Sequence, residues 1–71
     1  MKKTLRTSQN LYQDVADLMT MMYQVKGAEM VNNEKIAEEI QSAIDKIDTA
    51  RKNIFEATEI LQQIYNETYD D

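Results

Sequence analysis

Apolar residues return at every seventh position through the second half of the chain. Between Asn33 and Glu67 there is neither proline nor glycine, and Ile40, Ile47, Ile54 and Leu61 stand in one column with Ile36, Ala43, Ala50, Ala57 and Ile64 beside it. Such spacing, sustained over about five repeats, predicts a long helix over residues ~33–67 with an apolar seam along it. A second helical pattern precedes it. Leu11, Tyr12, Val15, Leu18, Met19, Met22 and Val25 fall at three- and four-residue steps, which predicts a shorter helix over residues ~8–26. Thr7 or Ser8 is the expected N-cap, because a hydroxyl there accepts a hydrogen bond from an unpaired amide of the first turn.

The single glycine, Gly27, follows the end of the first stripe, where a left-handed cap costs glycine nothing. Asn32 and Asn33 then supply capping chemistry for a restart, and Val31 can pack on Ile36 as a staple if Asn32 is the cap. Residues 27–32 therefore read as a reversal and the fold class as all-α: a two-helix antiparallel hairpin forming a single domain over residues 1–71. Residues 1–6 read as a basic frayed end and residues 68–71 as an acidic tail. The alternative is one unbroken helix through Gly27, a rod of ~105 Å at 1.5 Å per residue. On the long helix Lys35 with Glu39, Asp48 with Lys52, and Lys52 with Glu56 lie four apart, each pair worth a few tenths of a kcal/mol.

The expected helices differ in length, about 20 residues or ~30 Å against about 35 residues or ~52 Å. In a hairpin of that shape Ile60, Leu61 and Ile64 have nothing to cover them, and leaving each in water forfeits roughly 1.5–3 kcal/mol. A chain of 71 residues builds a core worth only about 3–5 kcal/mol without a staple or partner. No cysteine is available for a disulfide, so oligomerisation is the remaining route. The expected assembly is a homodimer forming a four-helix bundle, with Ile40, Ala43, Ile47, Ala50, Ile54, Ala57, Ile60, Leu61 and Ile64 at its interface. Isoleucine layers alternating with Ala43, Ala50 and Ala57 resemble the antiparallel packing of the plasmid copy-number regulators of the Rop family, which are dimers of helical hairpins. The resemblance covers residues 36–64 and implies packing only. The RNA-binding face of that family is basic, whereas the first helix here carries Asp14 and Asp17.

Composition narrows the function. The net charge of −5 argues against general affinity for nucleic acid or anionic lipid. No run reaches the ~18 apolar residues of a membrane span, and Arg6, Ser8, Gln9 and Asn10 fall where a secretory leader needs an apolar core. A cytoplasmic location is expected. The absence of histidine and cysteine, with one glycine in all, removes the common general base, the thiol nucleophile and the glycine-rich phosphate loop. A non-enzyme without cofactor or metal is expected, with the carboxylates Glu34, Glu38, Asp45, Asp48, Glu56 and Glu59 forming a solvated face.

What remains is a protein–protein interaction module that binds, tethers or inhibits a partner, of a kind frequent among phage and mobile-element products. Met21, left over from the first stripe, and Phe55, Tyr65 and Tyr69, which share a flank of the long helix with Ile44, are the candidate partner-binding residues. Methionine adapts to irregular surfaces, and an outward phenylalanine either widens the bundle or anchors another protein. Two alternatives stand beside this reading. One is an acidic mimic of nucleic acid that inhibits a DNA- or RNA-binding protein; against it, Lys35, Lys46, Arg51 and Lys52 interleave with the acids. The other is a structural subunit of a helical assembly.

Overall fold

The computed structural model describes residues 1–68. They form two α-helices, α1 (Lys2–Asn32) and α2 (Glu34–Thr68), packed against each other as an antiparallel hairpin. Its backbone measures 54 × 15 × 10 Å, a slab one helix thick and two wide. Tyr69, Asp70 and Asp71 lie outside the described residues, so the acidic tail is reached only at Thr68.

Three boundaries differ from expectation. First, α1 begins at Lys2 and the amide of Leu5 bonds the Met1 carbonyl at 2.9 Å, so Met1 is the cap and residues 2–6 belong to the helix. Leu5 is buried because it extends the seven-residue series of Tyr12, Met19 and Lys26 by one more repeat. Thr7 is accordingly interior to the helix, and its hydroxyl donates to the Lys3 carbonyl instead of capping. Second, Gly27 lies inside α1. A glycine in mid-helix costs only about 1 kcal/mol against alanine, less than the seam on either side returns. Third, the reversal is made by Asn33 alone.

Asn33 takes extended angles (φ −156°, ψ 92°) and serves both helices. Its amide donates to the Glu29 carbonyl at 2.6 Å, closing α1. Its side-chain Oδ1 accepts from the Ile36 amide at 3.3 Å, capping α2. Asn32 is thus the last residue of α1, and no staple forms: Val31 is 87% exposed. With 31 and 35 residues the two helices nearly match, which removes the expected overhang. Leu61 is half-buried against α1, while Ile60 and Ile64 remain exposed for a different reason, given below.

The face of α2 turned to α1 is also displaced by one column. Ile40, Ile47, Ile54 and Leu61 are half-buried, as a seam should be. Their companions are Ala37, Ile44, Arg51, Thr58 and Tyr65, not the alanine column. Ile44, expected on an outer flank, is the most buried large side chain at 1% exposure. On α1 the facing residues are Leu5, Ser8, Tyr12, Val15, Met19, Met22, Lys26 and Glu29.

The polar members of this interface explain the choice. Ser8 meets Thr58 across the seam; since Thr58 already donates to the Ile54 carbonyl, the Ser8 hydroxyl is the donor. The Lys26 ammonium donates to Gln41, and Arg51 donates to the Tyr12 hydroxyl at 3.0 Å. These three contacts, spread along the hairpin, fix its register, because a one-turn slip would strand all of them.

The backbone analysis makes two stability predictions. Nothing lies within 4 Å of a Cβ built on Gly27, so Gly27→Ala should stabilise by about 0.5–1 kcal/mol. In a thermal melt that is an increase of roughly 2–8 °C for a domain of this size. Asn33→Ala should lower the midpoint through loss of the cap, at a cost of about 1 kcal/mol.

Candidate interaction surface

An antiparallel helix pair leaves two long flanks, and in this hairpin they differ in chemistry. On one flank Leu11 and Thr4 come together with Leu61; on the other, Gln9 and Lys2 come together with Gln62. Following each column along its helix assigns the rest. The first flank carries Thr4, Leu11, Leu18 and Val25 from α1 and Ile36, Ala43, Ala50, Ala57 and Ile64 from α2, all exposed. Met21 and Ile60, 56% and 60% exposed, stand one turn outward and widen it. Seven of the twelve large apolar side chains exposed among the described residues therefore gather on one side of the slab. Scattered apolar residues are ordinary on a surface; a continuous stripe of this length is not.

The cause lies in the width of the α2 pattern. Its apolar positions occupy three adjacent columns, and one neighbouring helix covers two. Because α1 takes the columns of Ile44 and Ile47, the column of Ala43, Ala50 and Ala57 is left outside with its isoleucine ends. The nine residues expected at an oligomer interface thus divide. Ile40, Ile47, Ile54 and Leu61 help close the hairpin itself, whereas Ala43, Ala50, Ala57, Ile60 and Ile64 face outward.

The second flank is more mixed: the Gln9 column of α1 continues through Ala16, Tyr23 and Met30, facing Gln41, Asp48, Phe55 and Gln62 of α2. The Phe55 ring is 49% exposed and lies tilted against Tyr12, with centroids 5.6 Å apart and planes 52° apart. Arg51 completes the group, its guanidinium 5.9 Å from the centre of the Tyr12 ring. Asp48 holds Arg51 from behind, accepting from Nη2 at 2.9 Å and from Nε at 3.3 Å, and takes Lys52 on its other oxygen at 3.2 Å. Of the three expected four-apart ion pairs only Asp48–Lys52 closes among the described residues; Lys52 turns back to Asp48 and away from Glu56. Phe55 also borders a shallow groove shared with Tyr12, Arg51, Lys52, Glu56 and Glu59. It is therefore half anchored and half available, and the rigid ring beneath it limits the freedom it would lose on binding.

The other candidates lie apart. Met21 is on the apolar flank, remote from Phe55. Tyr65 is half-buried near the open end of the hairpin, beside Leu5 and Gln62, and Tyr69 lies outside the described residues. Sequence reasoning missed the Tyr12–Arg51 contact, which joins residues 39 apart in the chain. The sequence carries no signal for it, because Arg51 shares a column with Thr58 that reads as polar until Tyr12 is seen to stand opposite.

The hydrogen bonds from Arg51 and Lys52, with their positive charges, hold the Asp48 carboxyl below its ordinary value of 3.8. The hydrogen bonds to Asp48 and Tyr12 raise Arg51. Among the described residues no three acidic side chains cluster closely enough to hold a metal ion, and no helix is long and apolar enough to cross a membrane. The chain matches no protein-family model, no curated protein and no solved structure.

The sign of the Asp48 effect fixes a pH window. A carboxyl with a depressed folded value contributes stability above its unfolded value and loses it as pH falls through the folded one. Urea melts of the wild type and Asp48→Asn should therefore differ at neutral pH and converge below about pH 3.8, the ordinary aspartate value. A gap that stays constant to lower pH would mean that the ion pairs contribute nothing to folding.

Proposed function

We propose that this chain is a non-enzymatic protein–protein interaction module: a helical hairpin that pairs with a second copy into a four-helix bundle and presents its other flank to a partner protein, which it binds, tethers or inhibits. The observation that carries this reading is the continuous stripe of exposed apolar side chains along one flank, seven of the twelve large ones exposed among the described residues. Only Leu5, Ala37 and Ile44 are buried among the described residues, a thin core for a chain of 71 residues.

Surface area supports the same conclusion. The chain exposes 5420 Å², whereas a compact monomer of 8.3 kDa exposes about 4,600 Å² by the usual mass scaling. The excess of roughly 800 Å² is what a slab one helix thick exposes over a compact domain, and pairing along a flank is one way to reduce it. Pairing through the apolar flank leaves Phe55, Tyr12 and the Arg51–Asp48 pair on the outside of the bundle. An aromatic anchor bordered by charges of both signs is the composition found at the centre and rim of protein-binding sites. The neutralisation of Asp48 by Arg51 and Lys52 favours this reading over an acidic mimic of nucleic acid, which needs its carboxylates free.

Sedimentation equilibrium is the decisive test. The wild type should give twice the 8.3 kDa chain mass, and Leu18→Glu, placing a charge on the apolar flank, should bring the mass down to that of one chain. Phe55→Ala should retain both the doubled mass and the helix content, since its ring lies on the far flank. If Phe55→Ala instead melts the helices, the ring belongs to the hairpin core and the proposed partner site is lost.

A further inference from the structure

The apolar flank carries more than an expectation of pairing. Given the register fixed by Ser8 with Thr58 and Lys26 with Gln41, large and small residues alternate across it: Leu11 is roughly level with Ala57, Leu18 with Ala50, and Val25 with Ala43. At every one of these levels α1 offers the bulky side chain and α2 offers alanine. Over these levels the flank is a ridge along α1 beside a trough along α2, about 21 Å long at 1.5 Å per residue, and at its two ends the sizes reverse, with Ile64 beside Thr4 and Ile36 beside Asn32. Its occupant must present a trough to the ridge and a ridge to the trough.

A second copy of this chain does so in one orientation. Resting on the reading that the hairpin pairs with itself, we infer that the two copies lie with their Asn33 turns at the same end of the bundle, related by a twofold axis parallel to the helices. That axis sets α1 of each copy over α2 of the other, running antiparallel, so that Leu11, Leu18 and Val25 each enter the space over Ala57, Ala50 and Ala43 of the opposite copy. Large against small at each level keeps all four helices evenly spaced.

The competing arrangement puts the turns at opposite ends, with the twofold axis across the helices. It stacks α1 on α1 and α2 on α2. Leu18 then meets its own equivalent and Leu11 meets Val25, holding one helix pair apart, while alanine on alanine draws the other together. The outward positions add to the difference. With turns at opposite ends, Asp14 is set against Met21 and Glu39 against Ile60. With turns at the same end, Met21 lies along the aliphatic stem of Lys46, and Ile60 beside Thr7.

Val31 reports the orientation without disturbing it. It is next to the turn, exposed, and outside both flanks, and the chain contains no native cysteine. A nitroxide on Val31→Cys, read by pulsed dipolar spectroscopy, should give one inter-copy distance of about 20–30 Å, two helix diameters with the label arms. A distance near the 54 Å length of the hairpin would overturn the orientation while leaving self-pairing intact. Absence of any inter-copy distance, with a single-chain mass in the same sample, would overturn the pairing itself.

Discussion

One helix can cover two columns of a neighbour, and α2 has three that are apolar. Much of the structure follows from that mismatch. Had the apolar pattern of α2 been two columns wide, α1 would have covered it and α2 would have left no apolar column outside, only the Leu11, Leu18 and Val25 column of α1. Instead the pairing with α1 must choose, and the choice favours the side where the seam includes Ile44 together with Arg51 and Thr58. The residues that could have formed the smoothest apolar seam, Ala43, Ala50 and Ala57, are left facing out. A seam with polar members is a weaker hydrophobic interface but a more specific one, because Thr58, Arg51 and Gln41 each find a partner on α1 at a single register.

The division of labour between polar and apolar contacts is consistent along the hairpin. Polar pairs near both ends and at the centre set how the helices align, and the turn needs only Asn33 because the alignment is not left to it. A one-residue connection holds both helices to nearly equal length, so α1 must start as early as Lys2 to cover the far end of α2, and Leu5 is drawn into the core. The basic residues Lys2, Lys3 and Arg6 are then helical by consequence, since Leu5 cannot be buried unless the turns around it form.

The sequence made the two-helix character legible because seven-residue spacing is a strong signal over this length. The hairpin itself was legible from Gly27, Asn32 and Asn33, although the glycine drew the reversal several residues too early. A C-cap glycine and a tolerated mid-helix glycine look alike in one sequence; what separates them is whether the seam continues, and Glu29 and Lys26 are poor markers of a seam. The same weakness hid Ile44. Arg51 and Thr58 make its column look polar, and only the knowledge that Tyr12 and Ser8 stand opposite turns that column into a core. Of the candidate site, Met21 and Phe55 were visible as misfits to the stripe. That they occupy opposite flanks was not, because the side of an antiparallel pair on which a column falls depends on which columns its partner has taken.

The separation of the two flanks bears on how such a module can be controlled. With so few buried side chains among the described residues, the isolated hairpin has little stability to spare, so in the proposed dimer pairing and folding would be coupled and the folded fraction would rise with concentration. In that dimer a ligand on the apolar flank would compete with the second copy and would have to replace everything that copy contributes. A partner held at Phe55 competes with nothing, because the Tyr12–Arg51–Asp48 group that supports the ring is built within one hairpin. Two copies related by a twofold axis would then offer two such anchors on opposite outer faces of the bundle, and a partner with repeated sites would gain avidity from the pair without any new contact.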